Sequence, residues 1–191
     1  MTSLDVRPLD PSTWPEFAGL VERHNGVWGG CWCMGFHPEG VGRSSTPEQN
    51  RSAKEQRVRE GRAHAALVYD GATCVGWCQF GSPDELPRIK RKRAYLQAAG
   101  EPPDWRITCF FVDRTARRQG VASRALAGAL QQIARLGGGI VESYPESVEG
   151  RSVSSSFLHN GTVELFEQHG FERTRPIGKD LWVVTRVLEP V

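Results

Sequence analysis

Residues 108–136 read TCFFVDRTARRQGVASRALAGALQQIARL, and this stretch decides the fold. Residues 108–112 form a short apolar run of aromatic and β-branched side chains, which is typical of a strand buried on both faces. The second half has apolar residues at spacings of three and four, which predicts an amphipathic helix packed on that strand. The apolar positions of this helix are Ala122, Leu126, Ala129, Leu130, Ile133 and Leu136.

A basic turn that contains one glycine joins the predicted strand to the predicted helix. In such a turn the backbone N–H groups of the first helical residues gather at the helix N-terminus, where they lack helical partners. The helix dipole favours negative charge at the same place. The turn from Arg117 to Ser123 is therefore predicted to bind an anion.

The spacing of residues within this turn limits which kind of anion-binding motif it can be. Residues 117–122 fit the pattern Gln/Arg-x-x-Gly-x-Gly/Ala. The dinucleotide-binding fingerprint fits less well, because only one of its glycines is present, and a P-loop is excluded because the Gly-Lys-Ser/Thr ending is missing. A second motif, LFEQHGF at residues 165–171, follows about 45 residues later and predicts a short helix closed by Gly170.

The two motifs, in this order and on these elements, resemble the two signatures of the GNAT superfamily of acyl-CoA-dependent N-acetyltransferases. The segment 29–34 is also similar to one branch of that superfamily. The resemblance implies an α+β protein with the GNAT fold, which is a mixed, mostly antiparallel central sheet of about seven strands flanked by helices. Two parallel strands of this sheet splay apart at the cofactor site. We expect one such domain over residues 1–191.

The resemblance also implies acetyl-CoA as the acyl donor. The pyrophosphate of the cofactor would bind the basic turn, and main-chain N–H groups of the central strand would polarise the thioester carbonyl where that strand splays from residues 140–144. The second motif would add Phe166 to the cofactor site. The implied cofactor-binding residues are Phe110, Phe111, Val112, Arg117, Arg118, Gln119, Gly120, Val121, Ala122, Ser123 and Phe166.

The catalytic groups depart from the family pattern. The family reaction is direct attack of a free amine on the thioester, and many relatives use a glutamate on the central strand as base and a tyrosine in the second motif as acid. This chain has Phe166 in the tyrosine's place, which cannot donate a proton. Glu142 and Tyr144 are the expected substitutes, because strand alternation places them on one face at the mouth of the splay. An exposed edge pair is the alternative, and His159 is a further candidate base.

Residues 25–37 form a segment rich in glycine and aromatic residues, with little periodicity. We expect a strand or loop that lines the acceptor pocket through Trp28 and Trp32, with Glu142 and Tyr144 as further acceptor contacts. Packing of both tryptophans in the core is the alternative reading.

The same segment raises the question of a metal site. Cys31 and Cys33 lie close in sequence to His24 and His37, which suggests zinc. Structural zinc sites commonly need two ligand pairs, and the remaining cysteines supply no second pair. No metal is therefore predicted.

Composition limits the partners. A formal net charge of +2 is too small to indicate nucleic acid or an anionic membrane as the main partner. The basic run at residues 88–93 has no interleaved aromatic residues for base stacking, so we interpret it as a solvated face. In an enzyme that uses coenzyme A, the same run could contact the ribose phosphate of the cofactor. The N-terminal residues lack the apolar centre of a signal peptide, and five cysteines, an odd number, cannot all pair in disulfides. We therefore expect a cytoplasmic protein with reduced thiols.

The remaining elements surround the central strand. A polar surface helix is predicted over 45–61 and a β-hairpin over 64–80 about an Asp-Gly turn. Short strands are expected at residues 6–9, 140–144 and 180–188, and a polar loop at 145–156.

The leading functional hypothesis is an N-acetyltransferase that acts on the primary amine of a small molecule. The whole chain also resembles the aminoglycoside 2′-N-acetyltransferases that act on kasugamycin, which implies an aminoglycoside acceptor and antibiotic resistance by inactivation. The alternatives are an acetyl-CoA-binding domain without turnover and an acetyltransferase of protein amines. A homodimer is left open.

Overall fold

The computed structural model describes residues 4–42, 45–98, 100–153 and 158–191. Within them a seven-stranded sheet has the order β1-β2-β3-β4-β5-β7-β6, and its pairs are antiparallel except for β4 and β5. The predicted mixed sheet is thereby confirmed. The strands are β1 (Leu4–Pro8), β2 (His64–Asp70), β3 (Thr73–Gly81), β4 (Trp105–Val112), β5 (Gly139–Ser143), β6 (Glu172–Pro176) and β7 (Trp182–Leu188).

Helices cover both faces of this sheet. The long helix α4 packs on one face against β2 and β3, and α1 packs on the opposite face against β3. Each interface has its own apolar core, so the central strands are buried on both sides. The helices are α1 (Trp14–Glu22), α2 (Pro47–Arg59), α3 (Lys92–Gln97), α4 (Val121–Arg135) and α5 (Val163–Glu167), and a 3₁₀ turn spans Arg114–Ala116.

The strand and helix predicted from residues 108–136 are confirmed as β4 and α4. The alternating backbone of β4 sends Phe110 into the core below α4, while Phe111 stacks on Trp77 at 4.9 Å on the other face. The predicted hairpin is also confirmed, with Gly71 at φ +61° in its turn. Gly71 can adopt this left-handed conformation because it lacks a Cβ.

The polar surface helix predicted over residues 45–61 is present as α2, and its outer side is exposed. One side of α2 buries Asn50, Lys54 and Arg57 together with Val58. Arg57 forms a bidentate pair with Glu39, and Lys54 donates to other buried polar groups. A polar sequence can cover a core when its long side chains find fixed partners there.

Two elements were not predicted. Helix α3 lies within the segment that the sequence described only as basic and proline-containing, and β6 pairs along β7 at the sheet edge. Both are short and lack the clear periodicity that a longer element shows. Of the loop predicted at 145–156, residues 154–156 lie outside the described part of the chain.

In the described part of the chain, no helix is both long and apolar enough to cross a bilayer.

Candidate functional site

The start of α4 presents backbone donors to open space. Gly120 precedes the helix at φ +78°, and a Cβ placed on it would meet nothing within 4 Å. Arg124 donates the first helical hydrogen bond to the Gly120 carbonyl at 2.9 Å. The N–H groups of Val121, Ala122 and Ser123 therefore precede the helical ladder, and they form the positive end of a 15-residue helix.

The turn before this glycine is fixed by Asp113 at the end of β4. Its carboxylate accepts hydrogen bonds from the backbone N–H and the hydroxyl of Thr115, at 3.0 and 2.9 Å. The chain then runs through Arg117 in an extended conformation and Arg118 at φ +61° before it reaches Gly120. Two exposed guanidinium groups thus lie beside the open helix N-terminus, which raises the positive potential there.

One edge of β4 is open beyond its parallel partner. β4 pairs with β5 only from Trp105 to Ile107, so the two strands separate at Thr108. The Asp113 N–H bonds to Val75 in β3, and alternation turns the backbone groups of Phe110 and Val112 toward the other, open edge. This is the splay that the sequence resemblance implies.

A cavity of about 670 Å³ lies along this open edge and reaches the start of α4. We call it the first cavity. The far wall contains Leu158, Gly161 and Thr162, which the sequence had not indicated as part of a site, and Leu165, the first residue of the second motif. Nine residues predicted to bind the cofactor line the first cavity: Phe110, Phe111, Val112, Arg117, Arg118, Gly120, Val121, Ala122 and Ser123.

The remaining two cofactor predictions require correction. Gln119 is exposed and turns its amide back to the Thr115 carbonyl at 3.0 Å, so it is not part of the wall. Phe166 is fully buried and packs edge-on against Phe110 and Phe171. Phe166 therefore packs behind the cavity-lining ring of Phe110 instead of lining the cavity itself. Burial in the core stabilises an apolar ring more than exposure on a cavity surface does.

The second motif lines the first cavity through Leu165 and contacts the start of α4 through His169. His169 Nε2 lies 2.8 Å from the Ser123 hydroxyl in the first turn of α4. This hydrogen bond ties the end of the second motif to the helix N-terminus. The two motifs thus meet in space although they are far apart in sequence.

A second cavity of about 540 Å³ opens on the other side of the open edge. Its walls carry three thiols, of Cys31, Cys33 and Cys109. The apolar part of its lining comes from Trp28, Phe36 and Ile89, and its charged part from Arg88 and Lys90. The basic run therefore lies at the second cavity, and the first cavity has none of it among its described lining.

Trp28 and His159 lie where the two cavities meet. Trp28 lines both cavities, and its ring lies 5.8 Å from Phe111 and 5.5 Å from His159. His159 also accepts, through its main-chain carbonyl, a 2.7 Å hydrogen bond from the Phe110 N–H on the open edge. An imidazole and an indole thus stand at the boundary between the two cavities.

A sequence profile of the acetyltransferase (GNAT) family matches residues 31–149, more than half of the chain. The chain belongs to the GNAT acetyltransferase family. Members of this family generally use acetyl-CoA. No curated protein matches the sequence.

Solved structures share the GNAT fold at low identity. Mosquito arylalkylamine N-acetyltransferase like 5b aligns over 97% of this chain and 100% of its own, with a TM-score of 0.56 at 14% identity. The Salmonella typhimurium protein yncA, solved with its cofactor acetyl-CoA, aligns over 97% and 93%, with a TM-score of 0.52 at 14% identity. An N-acetyltransferase of Staphylococcus aureus Mu50 aligns over 98% of both chains, with a TM-score of 0.52 at 13% identity.

The carboxylate predicted as the base of this GNAT protein does not face either cavity. Glu142 is 3% exposed, and its Oε2 accepts hydrogen bonds from the hydroxyls of Tyr95 and Tyr144, both at 2.9 Å. The unpredicted helix α3 brings Tyr95 over β5, so the face expected at the mouth of the splay is covered. The alternative of an exposed edge pair is equally wrong.

Tyr144 is poorly suited to the acid role predicted for it. Burial, followed by the Glu142 charge, raises the pKa of its phenol well above the usual value. Its hydroxyl donates to Glu142 and is fully buried with Ile177, Leu181 and Val183. The pair is better understood as a structural cluster beneath the sheet.

Trp32, predicted to contact the acceptor, lies in the core. It is buried and stacks on Trp14 with ring centroids 6.0 Å apart, and the Arg51 guanidinium lies 5.7 Å from its ring. Trp28 lines both cavities with 38% of its surface exposed, and its contact with an acceptor stays a prediction.

A buried polar network lies close to the thiols of the second cavity. Lys54 is 1% exposed, and its ammonium donates to His37 Nε2 at 3.0 Å and Gln79 Oε1 at 2.6 Å. The His37 Nδ1–H donates to the Glu85 carbonyl, so both ring nitrogens are engaged. Burial lowers the pKa of Lys54, while the thiols of Cys33 and Cys109 act in the opposite direction. A single polar helix position gave no sequence signal for this network.

Among the described residues, no group of three or more His, Cys, Asp or Glu side chains is arranged to hold a metal ion. His37 is occupied by Lys54 and the Glu85 carbonyl, and His24 Nδ1 lies 2.9 Å from the Leu20 carbonyl.

Proposed function

We propose that this chain is an acetyl-CoA-dependent N-acetyltransferase that acts on the primary amine of a small molecule. The observation that carries the proposal is the continuity of the site. One cavity follows an open strand edge to a glycine-led helix N-terminus, and it meets a second cavity at Trp28 and His159. Family membership supports the reaction class.

The residues of the first cavity fit acetyl-CoA by their chemistry. The free N–H groups of Val121 to Ser123 and the guanidinium groups of Arg117 and Arg118 suit a pyrophosphate. The Phe110 N–H on the open edge already donates to the His159 carbonyl. Val112 further along this edge offers its backbone groups to an extended amide-containing arm, as an unpaired strand edge does. When bound, acetyl-CoA supplies an activated acetyl thioester.

His159 is our candidate for the proton acceptor. An amine that attacks a carbonyl becomes positively charged and must release a proton, which a positioned imidazole can take near neutral pH. The ring of His159 lies at the boundary of the two cavities, where an amine in the second cavity would face the open edge. The role rests on this placement, since Glu142 and Tyr144 are buried elsewhere.

A direct assay tests the proposal. Acetyl-CoA binding is measured by calorimetry, and acetylated product is identified by mass spectrometry across a panel of amines that includes kasugamycin and other aminoglycosides. The aminoglycoside acceptor stays a prediction from sequence resemblance. We expect His159→Gln to lower turnover about a hundredfold or more, because loss of a general base typically costs that much, while acetyl-CoA affinity is retained.

The matched control is His64→Gln. His64 lies on β2, away from the described lining of either cavity, and should keep full turnover. Absence of acetyl-CoA binding in the folded protein would contradict the proposal. Binding without product from any amine would favour the non-catalytic alternative, and product only with protein or peptide amines would favour the protein acetyltransferase.

A further inference from the structure

The rim of the second cavity carries a fixed positive charge. The Arg88 guanidinium donates from Nε and Nη2 to the Pro38 carbonyl, at 3.2 and 3.0 Å. These carbonyl bonds hold the group in place without neutralising it. The carboxylate of the adjacent Glu39 is bound by Arg57 at 2.8 to 3.1 Å, so the charge of Arg88 acts on the cavity.

Lys90 adds a second positive group to the same cavity. Its ammonium lies 3.7 Å from the Glu146 carboxylate, which is longer than a direct hydrogen bond, and its side chain is one-third exposed. Burial lowers the pKa of Lys90, and Glu146 acts in the opposite direction. The single long contact with Glu146 leaves N–H donors of this ammonium for a ligand.

Lys54 is a third positive group, and it lies behind the lining residues Cys33 and Cys109 of the second cavity. The Lys54 ammonium is held by the neutral groups of His37 and Gln79. Its charge acts on Cys33 and Cys109, which line the second cavity. None of the described residues that line this cavity is an Asp or a Glu. Glu146 offsets part of the Lys90 charge. Arg88 and Lys54, however, have no carboxylate partner of their own among the described residues, so we infer a net positive field inside the cavity, which low-dielectric walls strengthen.

We propose that the second cavity takes a primary amine whose apolar body carries an anionic group, such as a carboxylate, held by Arg88 and Lys90. This inference rests on the proposed function. The cavity volume of about 540 Å³ suits a small ligand. Trp28, Phe36 and Ile89 would cover the apolar body, and the amine would lie toward His159.

The same field also prepares the amine for attack. A protonated amine is not a nucleophile, and positive surroundings disfavour its charged form. The acceptor amine is then held neutral without a carboxylate base in the cavity, which accounts for the departure from the family pattern. A polycationic aminoglycoside would be repelled by the same groups.

The first experiment compares three acceptors of one shape, 4-(aminomethyl)benzoate, 4-(aminomethyl)benzamide and 4-(aminomethyl)benzamidine. We expect kcat/KM to be at least tenfold higher for the anion than for the cation, with the neutral amide between them. Lys90→Met and Arg88→Met should each reduce this ratio, and Arg59→Met should not, because Arg59 is exposed on α2 and pairs with Glu55.

The second experiment measures the cavity charge without any turnover. Cys31 is half-buried in the cavity wall and is labelled by an anionic sulfonatoethyl or a cationic trimethylammonioethyl methanethiosulfonate. Its thiolate attacks the reagent sulfur, a mixed disulfide forms and methanesulfinate leaves. Each rate is divided by that of a free small thiol, and Cys31→Ser confirms the labelled site.

We expect the normalised anionic rate to exceed the cationic rate at least tenfold, and the ratio to fall in Lys90→Met and at high salt. Equal rates, a faster cationic reagent or no labelling of Cys31 would overturn the inference and leave the proposed function standing. Failure to acetylate any amine would instead contradict the proposed function, while the labelling ratio still decides the inference.

Discussion

Replacing Gly120 tests whether the start of α4 holds phosphate. Gly120→Asp puts a carboxylate beside the free N–H groups, and Gly120→Asn puts a neutral side chain of nearly the same shape there. Space is not limiting, because a Cβ at this position meets nothing within 4 Å. The left-handed backbone, at φ +78°, is tolerated by both Asn and Asp, so its cost cancels in the comparison.

The remaining difference is electrostatic. Two unit charges about 4 Å apart interact with about 1 kcal/mol in water and about 4 kcal/mol near a protein surface. Gly120→Asp should therefore bind acetyl-CoA between about fivefold and about eight-hundredfold more weakly than Gly120→Asn. Isothermal titration calorimetry at two salt concentrations measures this ratio, which should shrink at the higher one. If the two folded variants bind equally at low salt, the phosphate site lies elsewhere.

Two further predictions concern the buried polar groups. Burial, followed by the charge of Lys54, lowers the pKa of His37 to about 2. Below about pH 6.5 the unfolded chain therefore binds a proton that the folded chain excludes, and the free energy of unfolding falls as the pH drops from about 6.5 toward 2. From pH 7.5 to 5.5 we expect the free energy of unfolding, measured by urea denaturation, to fall by about 1.4 kcal/mol more in the unmodified protein than in His37→Gln. Equal losses in the two proteins would refute this assignment to His37. Glu142→Gln should cost about 1 to 3 kcal/mol of stability, because two tyrosine hydroxyls lose a charged acceptor, yet keep turnover within about threefold. A hundredfold loss of turnover in folded Glu142→Gln would restore the catalytic role that the sequence suggested.

Local chemistry made the cofactor side of the site predictable. A buried strand, a glycine-containing basic turn and an amphipathic helix are consecutive in sequence, and nine of the residues that the family resemblance implies on them line the first cavity. Phe166 shows the limit of this reasoning. A motif position indicates where a residue lies along its helix, but the packing of α5 on the core determines which way its ring points.

The acceptor side could not be predicted in the same way. Glu142 and Tyr144 share a strand face as alternation requires, but the short helix α3 covers that face. The sequence of α3 has no clear periodicity from which this helix could be predicted. Lys54 lies on a helix of polar sequence, and only the packing of α2 places its ammonium against His37 and Gln79. The placement of a charged side chain depends on its partners, and these come from distant parts of the chain.

The sequence alone indicated the central strand, the glycine-containing turn, the long helix after it and the family, because each of these depends on residues within short local stretches. Only the tertiary structure decided that Arg88 and Lys90 face the same cavity as Cys31, Cys33 and Cys109. It also decided that His159 rather than Glu142 lies at the boundary of the two cavities. Long-range pairing brings these groups together, and electrostatic effects depend on distances through space that sequence separation does not give.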